Sequence, residues 1–415
     1  MMKKSKRCRQ NMFFAKKLGM TVFVIFLLLL GQHITLPFVK SSDYFSTSQR
    51  LFSLTSSLTG GNLTKVSLFS IGLSPYMTAV LVWRLTHVNS SDDKSSIHLT
   101  ERRIKLLALA MAAWQSFAVA INLDFTVKFS QPILQVLFVL LPVCLILVTG
   151  SFVTLWIGNL NTKYGIGGIT LIILLNMVHQ LINQFTSFLE KYHFQYFVAL
   201  LLLSGLIVAL ATLSEKAEYR IGINHPSIYS SVADESYLPI KVNPAGGLPI
   251  MYAMTLLMLP QYIILGLNFF TKSDLTRSKW LIHFTTTRLS GISIYLTLVF
   301  LLAIIFSIFN IDPRRLAEQM RKENDYIEHV NPGKPTQIYI RKLATFFGVF
   351  SGIFMVLIVG TPLIIAYHSP EYQTYAVLPG LFVMLTSITL NIIEEIRGIR
   401  ISRNYKSIFA STQKE

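Results

Sequence analysis

What most limits the folds open to this chain is a recurrence: apolar stretches of about twenty residues follow one another along its length, parted by polar gaps. A helix needs roughly 20 apolar residues to cross the hydrocarbon core of a bilayer. Ten such stretches can be drawn: Leu18–Phe38, Gly60–Leu85, Leu106–Leu123, Ile133–Ile157, one from the Gly165–Gly168 turn to about Phe188, Phe194–Leu213, Ala245–Leu267, Leu289–Phe309, and two centred on Met355 and Leu385. With 52% hydrophobic and 14% charged residues, the composition excludes a soluble domain of this length. The expected fold class is therefore all-α: a polytopic membrane protein with ten transmembrane helices. A signal peptide would also open with a basic stretch and an apolar run, but no small-residue cleavage site follows Phe38 and further spans do.

Orientation follows from charge. With the N-terminus inside, 28 of the 37 Lys and Arg residues fall on cytoplasmic segments, a threefold bias. Basic residues near span ends hold a segment on the cytoplasmic side, which places both termini there, in the cell membrane. The net charge of +17 is then largely topogenic rather than a nucleic-acid footprint, with some left for anionic lipids or an acidic partner. The two cysteines, Cys8 in the basic tail and Cys144 in an apolar span, imply no disulfide framework.

The second stretch is unusual. GGNLTKVSLFSIGLSPYMTAVLVWRL, Gly60–Leu85, carries Gly72 and Pro75 inside its apolar run, and neither half is long enough to span alone. Broken backbone at membrane depth is tolerated where protein buries it or where it lines a wet cavity. It either borders a path or kinks for packing, and the stretch alone leaves both open. Ten spans divide into two sets of five, and an odd number per half makes the second half inverted relative to the first. GLSPYM in span two and GGLPIM in span seven are a weak echo of such a repeat.

The spans hold little chemistry. Apart from Arg84 their cores contain almost no Asp, Glu, Lys or Arg, whereas ion-coupled transporters and pumps rely on such groups as relays. The nine histidines form no H-x-x-x-H pair, so neither a metal site nor an enzyme is expected. PGKPT at Pro332–Thr336 lacks the spacing of a phosphate-binding loop, and GIGG reads as a turn. No cofactor is expected. A passive conduit fits this absence, and an uncoupled small-solute transporter is the alternative.

Four blocks carry a resemblance: GLSPYMTAVL with the glycines before it; WIGNLNTKYGIGGITLII from Trp156; LPIKVNPAGGLPIMYAMTLLMLPQ, Leu238–Gln261; and NIDPRRLAEQMRKENDYIEHVNPGKPTQIYIRKLATF, Asn310–Phe346. In this order they resemble the second helix, the start of the fifth, the start of the seventh and the last large cytoplasmic loop of the SecY family of protein-conducting channels. The short tail and diverged sequence look more like the accessory SecY of Gram-positive bacteria than the housekeeping one.

The resemblance implies a central pore between an N-terminal half (1–191) and a C-terminal half (192–396), followed by a tail (397–415). It implies a ring of Leu73, Met77, Ile169, Ile173, Met251 and Leu385, each of which would otherwise read as a helix-packing residue. It implies a plug over about Phe52–Phe69, including Gly60, Gly61, Leu63 and Val66, and a lateral gate with Pro75, Arg84 and Pro249. Arg84 is also placed to snorkel to the headgroups. Two cytoplasmic loops, about 214–243 and 310–342, would dock a SecA-type motor ATPase of a dedicated accessory form. Arg314, Arg315, Arg321, Lys322, Asn331, Lys334, Arg341 and Lys342 would lie on the second. Asn331 stands where the housekeeping family carries arginine. A small SecE-like subunit and a secretory preprotein are the other partners implied.

Overall fold

A computed structural model describes residues 2–39, 67–86, 97–121, 123, 125–126, 136–224, 237–271, 283–286, 288–369, 372–373 and 375–404. The helices in chain order are α1 (Met2–His33), α2 (Ser74–Thr86), α3 (Ile97–Ile121), α4 (Leu141–Tyr164, entered through a π turn at Val136–Leu140), α5 (Thr170–Lys191), α6 (Phe194–Lys216), α7 (Leu248–Thr271), α8 (Leu289–Ile311), α9 (Pro313–Glu323), α10 (Lys334–His368) and α11 (Leu378–Asn404). Among the described residues eight helical stretches are long and apolar enough to cross a membrane, and α7 adds the shorter apolar stretch Leu248–Ile264. The remaining expected span, α2, has 13 described helical residues.

The expected break falls at Gly72, where φ is +55°, and α2 begins two residues later at Ser74 with Pro75 in its first turn. Proline suits that position because its fixed φ is helical and its missing N–H has no helical acceptor there. The start of α7 repeats the device. Gly246 has φ +57°, the helix begins at Leu248, and Pro249 sits in its first turn. The weak sequence echo is thus a shared backbone conformation: a left-handed glycine three residues ahead of a proline.

The chain forms two compact units. The first comprises residues 1–182, 262–275 and 388–415; the second comprises 183–261 and 276–387. In the first, Phe69 is buried against Gly31 of α1, where a Cβ would overlap its ring. The Leu68 N–H donates to the Ile34 carbonyl at 3.0 Å. The Leu68 carbonyl meets Gly150 of α4 at a distance only glycine permits.

In the second unit α8 and α10 pair through small residues. Gly348 faces Ile304 and Ser307, Gly352 faces Phe300, and Gly360 faces Leu296. Lipid supplies no hydrophobic drive between helices, so close backbone approach and added hydrogen bonds must hold them together. Ser307 Oγ donates to the Ala344 carbonyl at 2.7 Å.

To the expected helices the structure adds a three-stranded antiparallel sheet, β1 (Glu218–Asn224), β2 (Tyr237–Lys241) and β3 (Tyr326–Ile327), in the order β2-β1-β3. It joins the two expected loops, pairing Ile221 with Leu238 and Ile223 with Ile327. Its core is Ile221, Ile240, Met320, Ile327, Ile340 and Phe347, so β1, β2, β3, α9 and the start of α10 bury one apolar cluster. The local signal was alternation: in EYRIGIN the apolar residues Tyr219, Ile221 and Ile223 are two apart.

Candidate conduit site

The six expected ring residues divide between the units. In the first, Leu73 is wholly buried and accepts the Met77 N–H at 3.0 Å, which seats both on the opening turn of α2. Ile173 is buried on α5, and the half-buried Ile169 packs on Gly158 of α4. In the second unit Met251 is buried in the first turn of α7 and its carbonyl accepts Thr255 Oγ1 at 3.0 Å, while Leu385 is half-buried on α11. All six are uncharged and aliphatic or thioether, side chains able to exclude hydrated ions by dewetting.

GIGG is a turn, and side chains bond Ile166, Gly167 and Gly168 within it. Asn161, fully buried on α4, donates through Nδ2 to the carbonyls of Ile166 and Gly168, both at 2.9 Å. The Ile166 N–H donates to Thr21 Oγ1 of α1 at 3.0 Å, and the Gly167 N–H donates to Glu395 Oε2 of α11 at 3.0 Å. Thr170 Oγ1 closes the turn on the Gly167 carbonyl at 2.6 Å. The start of α5, and with it Ile169 and Ile173, is therefore fixed by three other helices. Reading by sequence missed Asn161, Thr21 and Glu395, because each lies in an unremarkable context and gains its role only through the turn it meets.

Of the plug residues, Phe52, Gly60, Gly61, Leu63 and Val66 lie outside the described residues; Phe69 is the buried contact of Gly31 noted above. At the expected gate, Pro75 and Pro249 each open a helix, and Arg84 is half-buried near the end of α2, engaged with its surroundings. Its neighbour Trp83 has the Arg103 guanidinium 6.0 Å from its ring centroid. Within the first unit, the buried Tyr262 of α7 hydrogen-bonds the side chain of Ser74 at the head of α2.

All eight expected docking residues are exposed. Arg314, Arg315, Arg321 and Lys322 ride on α9, whose first turn is capped by Asp312 accepting the Arg315 N–H at 3.3 Å. Arg314 pairs with Glu318 one turn on, at 3.5 Å. Lys334, Arg341 and Lys342 occupy the start of α10. Asn331 sits between them in a turn where His329 and Gly333 both have positive φ, with its side chain in solvent and its carbonyl accepting Thr336 Oγ1 at 2.9 Å.

A helical membrane protein with apolar spans, the second and seventh of them broken at their starts, and a basic subdomain of sheet and helix has the fold of protein-conducting channels. Comparison agrees. The SecY family profile matches residues 67–392, and the chain belongs to the SecY family. It is 35% identical over 403 residues to a protein of Streptococcus agalactiae serotype III (strain NEM316) named accessory Sec system protein translocase subunit SecY2, covering 96% of this chain and 97% of that one. It is 32% identical over 400 residues to the protein of the same name in Streptococcus sanguinis (strain SK36), covering 95% and 97%. Among solved structures, one described as the structure of a protein conducting channel aligns with TM-score 0.67 at 18% identity, covering 94% of this chain and 93% of that chain, a likeness of fold.

Proposed function

We propose that this chain is the channel subunit of a Sec-type translocase of the accessory kind, passing unfolded secretory polypeptides across the cell membrane. The observation that carries this reading is the repeated broken start of α2 and α7. Each places buried apolar ring candidates, Leu73 and Met77 or Met251, beside a left-handed glycine and a first-turn proline. Helix starts of this form allow the chain to bend at membrane depth without leaving polar backbone in lipid. The names of the Streptococcus relatives support the accessory assignment. The uncoupled solute transporter is not favoured.

Energy comes from a partner, because translocation needs work and a conduit stores none. The exposed cations of α9 and α10, raised on a packed subdomain, suit an acidic docking face on a SecA-type motor. Charge complementarity of this kind sets partner choice and association rate more than affinity. A SecE-like subunit completes the assembly, anionic lipids border the basic ends, and both termini face the cytoplasm, a placement the charge bias supports. The test is a stalled secretory chain with photo-reactive groups placed at residues 77 and 251. Cross-links from both to the stalled chain are expected, and a channel of another class would yield none.

A further inference from the structure

α5 is amphipathic in an unusual sense for a membrane helix. One side is apolar and exposed, through Val178, Ile182 and Leu189. The opposite side is buried and carries three carboxamides at a spacing of four: Asn176, Gln180 and Gln184, which are 5%, 3% and 3% exposed. At 3.6 residues per turn these three fall with Ile173 inside an arc of about 80°. The face that bears an expected ring residue thus continues along the helix as a stripe of amides.

Their hydrogen bonding is uneven. Asn176 Oδ1 accepts Gln32 Nε2 of α1 at 2.7 Å. Gln180 is engaged. Gln184 is buried with neither amide atom finding a partner among the described residues. Leaving a buried polar group unmet costs on the order of 1–3 kcal/mol, and packing alone would be served better by leucine or methionine. An amide left unmet among the described residues is open to a group that arrives later.

The spacing identifies that group. Residues four apart on a helix are separated by about 6 Å. Along an extended polypeptide, N–H and C=O groups pointing to the same side recur every second residue, about 6.6–6.8 Å. A carboxamide both donates and accepts, so it matches either backbone group whatever the side chain beside it. Three neutral rungs also bind weakly and at several places, which conduction requires; charged rungs would hold or reject cargo according to its charge.

We propose that Asn176, Gln180 and Gln184 form a ladder that hydrogen-bonds the backbone of an extended polypeptide in transit, on the external side of the aliphatic constriction. This deepens the channel reading and rests on it. The ladder reads no sequence. It replaces the water that backbone groups lose on entering the pore, and hands the chain on by exchanging one rung for the next.

The test uses the full-length channel with its motor and small subunit in vesicles, with cargo stalled part-way. A photo-reactive residue is placed singly at 173, 180 and 184. Cross-links at all three are expected. Cross-linking at 173 without 180 and 184 overturns the ladder and leaves the channel intact; none at any position overturns the channel reading itself.

A second measurement compares the wild type with Gln184→Met and with the Gln180→Met/Gln184→Met pair, on ordinary cargo and on cargo carrying a proline tract that lacks N–H groups. Gln184→Met removes no bond present among the described residues, so assembly and motor binding should match the wild type. The pair should slow ordinary cargo roughly 5-fold, about the effect of one net hydrogen bond, and slow the proline tract less, because the tract offers carbonyls alone and its three-residue repeat puts them out of register with the rungs. Equal slowing of both, or of neither, would refute backbone recognition.

Discussion

The turn that launches α5 can be tested by a double-mutant cycle on Asn161 and Gly165. Asn161 is wholly buried and holds the Ile166 and Gly168 carbonyls at 2.9 Å. Asn161→Ala removes both bonds and leaves two inward-facing acceptors, a loss of about 2–4 kcal/mol. Gly165 has an extended backbone, φ −106° and ψ −152°, which alanine also adopts, so Gly165→Ala carries no conformational strain. A Cβ there would instead overlap Asn161 Oδ1 and approach its Cγ at 2.8 Å. Once the asparagine is gone, the nearest of these obstacles is the Asn161 carbonyl oxygen at 3.0 Å, a tight but tolerable approach. The two substitutions should therefore be strongly non-additive, with a favourable coupling of about 1–3 kcal/mol. Asn161→Asp is the sharper single variant: nearly isosteric, it turns a donor into an acceptor facing two carbonyls, and should be worse than alanine. The assay is the midpoint of detergent-induced unfolding of the purified channel, read beside its idle ion conductance in planar bilayers. Additive effects, or an aspartate variant as stable as the wild type, would refute the account of the turn.

Met251→Asn or Leu385→Asn should raise idle conductance and relax the demand for a strong signal sequence, because the closed seal loses its dry contact. Unchanged conductance at normal expression would remove these residues from the ring. Arg84→Gln should change the relative export of weak and strong signal sequences while leaving assembly intact; equal export by both versions would make Arg84 a snorkelling anchor. Asn331→Arg should strengthen docking of a general SecA motor without strengthening that of a dedicated one, since a guanidinium fork pairs with carboxylates in a way an amide cannot. Binding of purified motors at two salt concentrations decides this, and equal wild-type affinity for both motors would remove Asn331 from partner choice.

Much of this protein is one-dimensional and so legible in its sequence. Span lengths, the uneven spread of Lys and Arg between the polar segments and the break at Gly72 and Pro75 are each set within a few residues by desolvation of the backbone, by membrane-end charge and by φ. The exposure of the basic residues on α9 and α10 was legible for the same reason, since an exposed charge needs no partner to be exposed. The tertiary structure decided what depends on residues far apart. The sheet pairs Ile223 with Ile327 across two loops, and the GIGG turn takes its bonds from Thr21 and Glu395, 145 and 228 residues from their partners. The amide stripe lies between these cases. Asn176, Gln180 and Gln184 stand four apart in plain view, yet four-residue spacing shows only that they share a face. That this face is the buried one, with Gln184 unmet among the described residues, depends on how neighbouring segments pack around α5, and no local pattern records that.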